Sequence, residues 1–234
     1  MHHGYVDADQ VATLRALLVN SGWLERVRVF GRALRTSTRT PGGLLVVGTA
    51  SEEPWHLTAH LDEESRLSGI PALMPTLVRW SPPPDAPPHL RVGLERLEAA
   101  RRGETLFVVS EETAPVPLLE RVNDARHVGA TILALDGGDP ELDALAHETL
   151  AVPPRGGYGG AGSPPVRGGI PGGRPPGAML PPGAILSFDA AQHLVSAAAG
   201  ERDAPGDARG GTRGVRGLRG RLARLLDAVS GPSA

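Results

Sequence analysis

Gly103-Glu104-Thr105-Leu106-Phe107-Val108-Val109-Ser110-Glu111-Glu112-Thr113-Ala114-Pro115 opens a stretch that closes with His127-Val128-Gly129-Ala130-Thr131-Ile132-Leu133-Ala134-Leu135-Asp136-Gly137. Its two apolar runs, Thr105 to Val109 and Thr131 to Leu135, are each short enough for a buried strand, and the segment between them has helical periodicity. Two strands joined through a helix run parallel, because parallel neighbours need a crossover connection. The same form recurs on either side. Pro41-Gly42-Gly43 delivers the run Leu44 to Val47, closed by Gly48, and Ile70 to Met74 and Thr149 to Val152 are comparable runs. Strands alternating with helices predict an α/β three-layer sandwich with a mostly parallel, roughly five-stranded, Rossmann-like sheet. Aromatic residues make up only 3% of the chain, so its core must be built from Leu, Val, Ile and Ala, which suits buried parallel strands.

The flanks read as helices and linkers. From Asp9 to about Thr38 apolar residues recur at helical spacing, with Ser21-Gly22 dividing the run, so two helices are expected. Pro82 to Pro88 is a polar, proline-rich stretch, and Pro153 to Pro182 is dominated by Gly and Pro with too little apolar surface to build a core. Helical pattern resumes from Ser187 to Ala199. Beyond a second linker, from Gly200 to about Thr212, Val215, Leu218, Leu222, Leu225, Leu226 and Val229 fall on one helical face, with Arg213, Arg216, Arg219, Arg221 and Arg224 around it. The organisation is therefore one α/β domain over residues 1–199 with a Gly/Pro-rich insertion at 153–182, followed over 200–234 by a linker and an Arg-rich amphipathic helix.

Composition narrows the function classes. The chain has 234 residues and a formal net charge of -2, so no global field draws it to nucleic acid or to a membrane surface. Cys is absent, which removes disulfides, thiolate metal sites and cysteine nucleophiles. No apolar run approaches the roughly 20 residues of a membrane span, and the acidic start lacks the basic and apolar regions of a secretory signal. These features predict a cytoplasmic protein. No cofactor motif is present.

Open parallel sheets bind ligands at the C-terminal ends of their strands, which directs attention to the loops after Val47, Met74, Val109 and Leu135. The stretch from Gly103 to Gly137 resembles the central part of SIS (sugar isomerase) domains, in which a strand ends in a Ser/Thr-rich phosphate loop and a helix leads to the next strand. Further pieces are similar in order: Leu44 to Gly48 to the first strand, Trp55-His56-Leu57-Thr58-Ala59-His60 to the following helix, Gly69-Ile70-Pro71-Ala72-Leu73 to the second strand, and Glu141 to Pro153 to the end of the sheet. Ser187 to Ala199 resembles the final helix of the phosphoheptose isomerase group. The resemblance covers about Asp9 to Pro153 and Ser187 to Ala199.

That resemblance implies a phosphosugar held at the strand ends by hydroxyls and backbone N–H groups, in an oligomer whose neighbouring subunits complete the site. It points to Thr49, Ser51, Ser110 and Thr113 as the ligand-binding hydroxyls. The family's phosphate loops are altered here, because Glu52-Glu53 and Glu111-Glu112 place paired acids where an anion should bind. Like charges a few ångströms apart repel by about 1 kcal/mol in water and by more at lower dielectric, which is comparable to a good phosphate contact. The catalytic pair is altered too. His60 stands where the family has a helix Glu, while Ala197 falls at the position of the final-helix His with His193 one turn earlier, so His60 and His193 are the catalytic candidates.

Each candidate has a plainer reading. His56 and His60 are spaced i, i+4 on a helix and could share a metal, but zinc takes more protein ligands than this pair supplies, which favours polar helix-face histidines. Ser110 reads equally as a ligand hydroxyl or as a cap for the helix beginning near Pro115. The acid pairs favour helix N-termini through the macrodipole. The Arg-bearing final helix could dock on the acids or bind an acidic partner, or pack its Leu stripe on another subunit. These weights favour a divergent SIS-like ligand-binding or assembly protein, homo-oligomeric and without isomerase activity, over an active phosphosugar isomerase, with a scaffold or regulator acting through its Arg-rich helix as the third class.

Overall fold

The structure, a computed structural model, describes residues 22–152 and 187–201. The first of the two expected N-terminal helices, the Gly/Pro-rich stretch 153–182 and the Arg-bearing helix expected over 215–229 lie outside the described residues.

In chain order the elements are α1 (Trp23–Ser37), β1 (Leu44–Val47), α2 (Trp55–Ser68), β2 (Pro75–Val78), α3 (Glu95–Glu98), β3 (Thr105–Ser110), α4 (Val116–His127), β4 (Thr131–Asp136), α5 (Pro140–Leu145), β5 (Glu148–Ala151) and α6 (Phe188–Gly200). The strands form one five-stranded sheet in the order β2-β1-β3-β4-β5. Every pairing is parallel, and β3 and β4 run in register from Thr105 opposite Thr131 to Ser110 opposite Asp136. This is the Rossmann-like three-layer sandwich that the alternating runs predict.

Strand alternation sorts the core into two layers. Leu44, Val46, Phe107, Val109, Leu133 and Leu135 face α1, α2 and α6. Leu45, Val47, Leu106, Val108, Ile132 and Ala134 face α3, α4 and α5. These strand residues are almost fully buried, and each Leu, Val, Ile or Phe among them contributes about 1.5–3 kcal/mol on transfer from water. Phe30 of α1 meets Phe107 of β3 with ring centroids 5.5 Å apart. Gly31 lets α1 close on α6, since a methyl group there would strike the backbone of Ala198, and Arg35 Nη1 donates to the Ala198 carbonyl at 2.7 Å.

One strand differs from expectation. Ile70 to Met74 is not β2; Pro71–Leu73 forms a 3-10 turn instead, and the strand begins at Pro75. The cause lies at the end of α2. Gly69, at φ 64°, ends the helix in the left-handed region and donates to the Ser65 carbonyl, while Ser65 Oγ donates to the Ile70 carbonyl at 3.0 Å. Ile70 is thereby tied to the helix end, and Pro71 fixes φ for the turn that follows. As the first residue of an edge strand, Pro75 costs the sheet no ladder bond. The remaining strands shift by at most a residue from the expected bounds. No helix among the described residues is long and apolar enough to cross a membrane.

Candidate functional site

The β1→β2 crossover uses one face of the sheet and the connections onward from β2 use the other, so strand order reverses between β1 and β3. In open sheets of this order the crevice at that reversal, at the strands' C-terminal ends, is where ligands bind. Three segments meet there: the loop after β1, the loop after β3 and the first turn of α6.

The β1 loop is folded back on its own strand. Gly48 has no room for a side chain, because a methyl group would collide with the Glu52 carbonyl oxygen. Thr49 Oγ1 and Ser51 Oγ lie 3.0 Å apart in a shared hydrogen bond, and the Glu52 N–H donates to Thr49 Oγ1 at 3.2 Å. Thr49 is buried and Ser51 is exposed. The two expected hydroxyls therefore converge, but on each other.

Glu52 and Glu53 have different surroundings. Glu53 points toward β2, where its Oε2 accepts from Arg79 Nε at 2.8 Å and its Oε1 from the Trp80 N–H at 3.2 Å. The Arg79 guanidinium also stacks on Trp55, 4.4 Å from the ring centroid, and Trp80 Nε1 donates to the Gly48 carbonyl at 2.9 Å. Glu53 is thus a structural anchor. Glu52 turns the other way: burial raises its pKa above the usual carboxylate value, and Glu111, then Asp189, then Glu112 raise it further. Carboxylates from both acidic loops and from α6 thus share one electrostatic neighbourhood.

In the β3 loop, the buried Ser110 donates its hydroxyl to the Glu112 carbonyl at 2.6 Å. Its hydrogen is engaged within its own loop. It does not cap α4 either, because the N-cap there is Pro115 with no side-chain hydrogen bond. Thr113 is exposed. The loop is held from β4: Asp139 Oδ2 accepts from the Ala114 N–H at 2.8 Å, and the Gly137 N–H donates to the Ser110 carbonyl at 3.1 Å.

The histidines form a second cluster along the α2–α6 seam. The rings of His60 and His193 have centroids 4.2 Å apart at an interplanar angle of 64°. Burial depresses the His193 pKa below its ordinary value, His60 and His56 depress it further, and Asp189 opposes them. His193 thus faces His60 on this seam. The His60 Nδ1 is 3.9 Å from Glu63 Oε2. Among the described residues no group of three or more His, Asp or Glu is arranged to hold a metal ion, His56 and His60 included.

Two residues of this region have no counterpart among the sequence-based expectations. Asp189 is separated from the sheet by 153–186, so no local pattern places it beside Glu52. Asp136 ends β4 as a buried carboxyl, its pKa raised to about 6, chiefly by burial. A strand-end Asp before Gly137-Gly138 was a signal of its position. In comparisons with known proteins no family model matches the chain and no curated protein is similar to it, so a functional reading rests on the fold and on this geometry.

Proposed function

We propose that the chain is a divergent SIS-like binding or assembly domain whose switch-point site rejects phosphosugars, working as a cytoplasmic homo-oligomer without isomerase activity. One observation carries this reading: Glu52, in the loop where a phosphate would be cradled, is already pushed toward protonation by burial and by Glu111, Asp189 and Glu112. A phosphate dianion brought into that neighbourhood meets repulsion instead of the N–H groups and hydroxyls that bind anions at helix N-termini. The hydroxyl chemistry argues the same way, since Ser110 donates within its own loop and Thr49 is paired with Ser51. Calorimetry with a hexose or heptose phosphate tests the reading, and no binding heat is expected up to millimolar ligand. Micromolar binding abolished by Ser110→Ala would overturn it.

The rival reading, an active phosphosugar isomerase, is favoured by the contact between His60 and His193. A depressed pKa leaves His193 neutral near pH 7, as a general base must be. Aldose–ketose interconversion that disappears in both His60→Gln and His193→Gln would establish it.

A further inference from the structure

Asp136 closes β4 with an arrangement that the site described above does not use. Its side chain is almost completely buried. One carboxyl oxygen, Oδ1, accepts from the Gly138 N–H at 2.8 Å, while Oδ2 has no hydrogen-bond partner among the described residues. A buried carboxylate oxygen without a donor is costly, and the cost falls sharply when the group is protonated.

No neighbouring charge offers the anion relief. The charged groups acting on Asp136 come from α5 and its cap, and both are carboxylates, Asp143 and Asp139. On the strands either side its register partners are Ser110 and Ala151. From α4, Leu118 and Val122 cover the same face of the sheet. Only the Gly138 and Asp139 amides favour the charged form.

The turn that carries Asp136 also holds the acidic β3 loop. Gly137 donates to the Ser110 carbonyl, and a methyl group at Gly137 would strike the Glu111 carbonyl. Asp139 Oδ1 accepts from the Glu141 N–H at 2.9 Å, and its Oδ2 accepts from Ala114 on the β3 side. A displacement of the 136–139 turn is therefore passed directly to 110–114, which contains Glu111 and Glu112.

We propose that Asp136 is a proton-operated latch: neutral, it keeps the β4 turn closed and the acidic β3 loop fixed against it; ionised, it opens the turn to water and frees that loop. The latch gains a functional meaning from the reading of the switch point as the binding site, because it makes the placement of Glu111 and Glu112 depend on pH. Its mechanics do not depend on what the site binds.

The test is a pH titration of the full chain by heteronuclear NMR. The Asp136 carboxyl carbon should titrate with a midpoint near 6. The Ala114, Glu111 and Gly138 amide shifts should follow the same curve, and hydrogen-exchange protection of the Ala114 amide should fall about tenfold across it. In Asp136→Asn the Ala114 and Glu111 amides should lose that transition while the His193 ring signal still titrates. Ionisation of Asp136 in the ordinary carboxylate range, titration without any response at Ala114 and Glu111, or persistence of the response in Asp136→Asn would each overturn the latch. Should the Asn variant not fold, the concordance of carboxyl and amide curves in the unmodified protein decides alone. Phosphosugar binding would sink the functional reading and leave the latch intact.

Discussion

His60 and His193, from helices that are far apart in the chain, place their rings edge to face with centroids 4.2 Å apart. Two imidazoles this close cannot both be protonated without mutual repulsion, and burial adds to the cost at His193. A base whose folded pKa is depressed supports the fold above its unfolded value and withdraws that support as pH falls through the folded one. The α2–α6 seam should therefore weaken below the ordinary His value of 6.5. Unfolding followed across this range should show a smaller acid loss in His193→Gln than in the unmodified chain. His60→Gln should move the His193 titration upward by removing a like charge; an unchanged midpoint would mean that the pair is not coupled.

Asp136 slopes the other way. Its folded pKa is raised from 3.8 to about 6, so its contribution is present below the unfolded value and lost as pH rises through 6. The loss by neutral pH is on the order of 2–3 kcal/mol, because each tenfold change in proton affinity on folding corresponds to about 1.4 kcal/mol. Asp136→Asn keeps the acceptor for Gly138 and has nothing to ionise. Denaturant unfolding at about pH 5 and about pH 8 should differ less in this variant than in the unmodified chain, and an equal difference in both would remove Asp136 from the alkaline limb.

Adjacent glutamates should respond oppositely to substitution. Glu53→Ala leaves Arg79 and the Trp80 N–H without their acceptor in a half-buried setting, at a cost of about 1–3 kcal/mol. Glu52→Gln removes a like charge from beside Glu111, Asp189 and Glu112, and stability at neutral pH should stay level or rise. Chemical denaturation of the two variants decides it, and a Glu52→Gln variant as damaged as Glu53→Ala would contradict the division.

Gly31→Ala tests how α1 meets α6. The added methyl has a good helix propensity, worth about 1 kcal/mol over Gly, but it meets the backbone of Ala198 and Ala199, which cannot move as a flexible side chain would. Overpacking of this kind costs about 1–3 kcal/mol. A lower melting temperature is the expected net result, and a higher one would show that the helices separate easily.

The sheet could be read from the chain because its signal is local. Short apolar runs closed by Gly or by a polar residue fix strand type, and helical spacing between them fixes parallel pairing, so β1, β3, β4 and β5 fall within a residue of expectation. β2 could not be placed this way, because Ile70 to Met74 is apolar for a different reason: Leu73 is buried in a turn held by Ser65 and Pro71. The meeting of Glu52 with Glu111 and Glu112 follows from strand order and was readable once both loops were assigned to one edge. Asp189 was not, since nothing near it in sequence tells where α6 lies on the sheet. Side-chain direction was also hidden: Ser110 has the residue type of a ligand donor, and only its hydrogen bond to the Glu112 carbonyl shows where the hydroxyl is aimed.

The backbone of the two acidic loops is secured by groups other than the acids clustered there. Glu53 anchors one loop from β2, Asp139 and Gly137 anchor the other from β4, and Gly48 and Gly137 lie directly under carbonyls of the chain folded over them. The side chains of Glu52, Glu111 and Glu112 are therefore spare parts as far as the scaffold is concerned, and their charge can be exchanged without rebuilding it. Substitution of these three side chains would change the charge of the crevice without moving its backbone, whereas the glycines beneath them leave almost no freedom to change the loops' length or path.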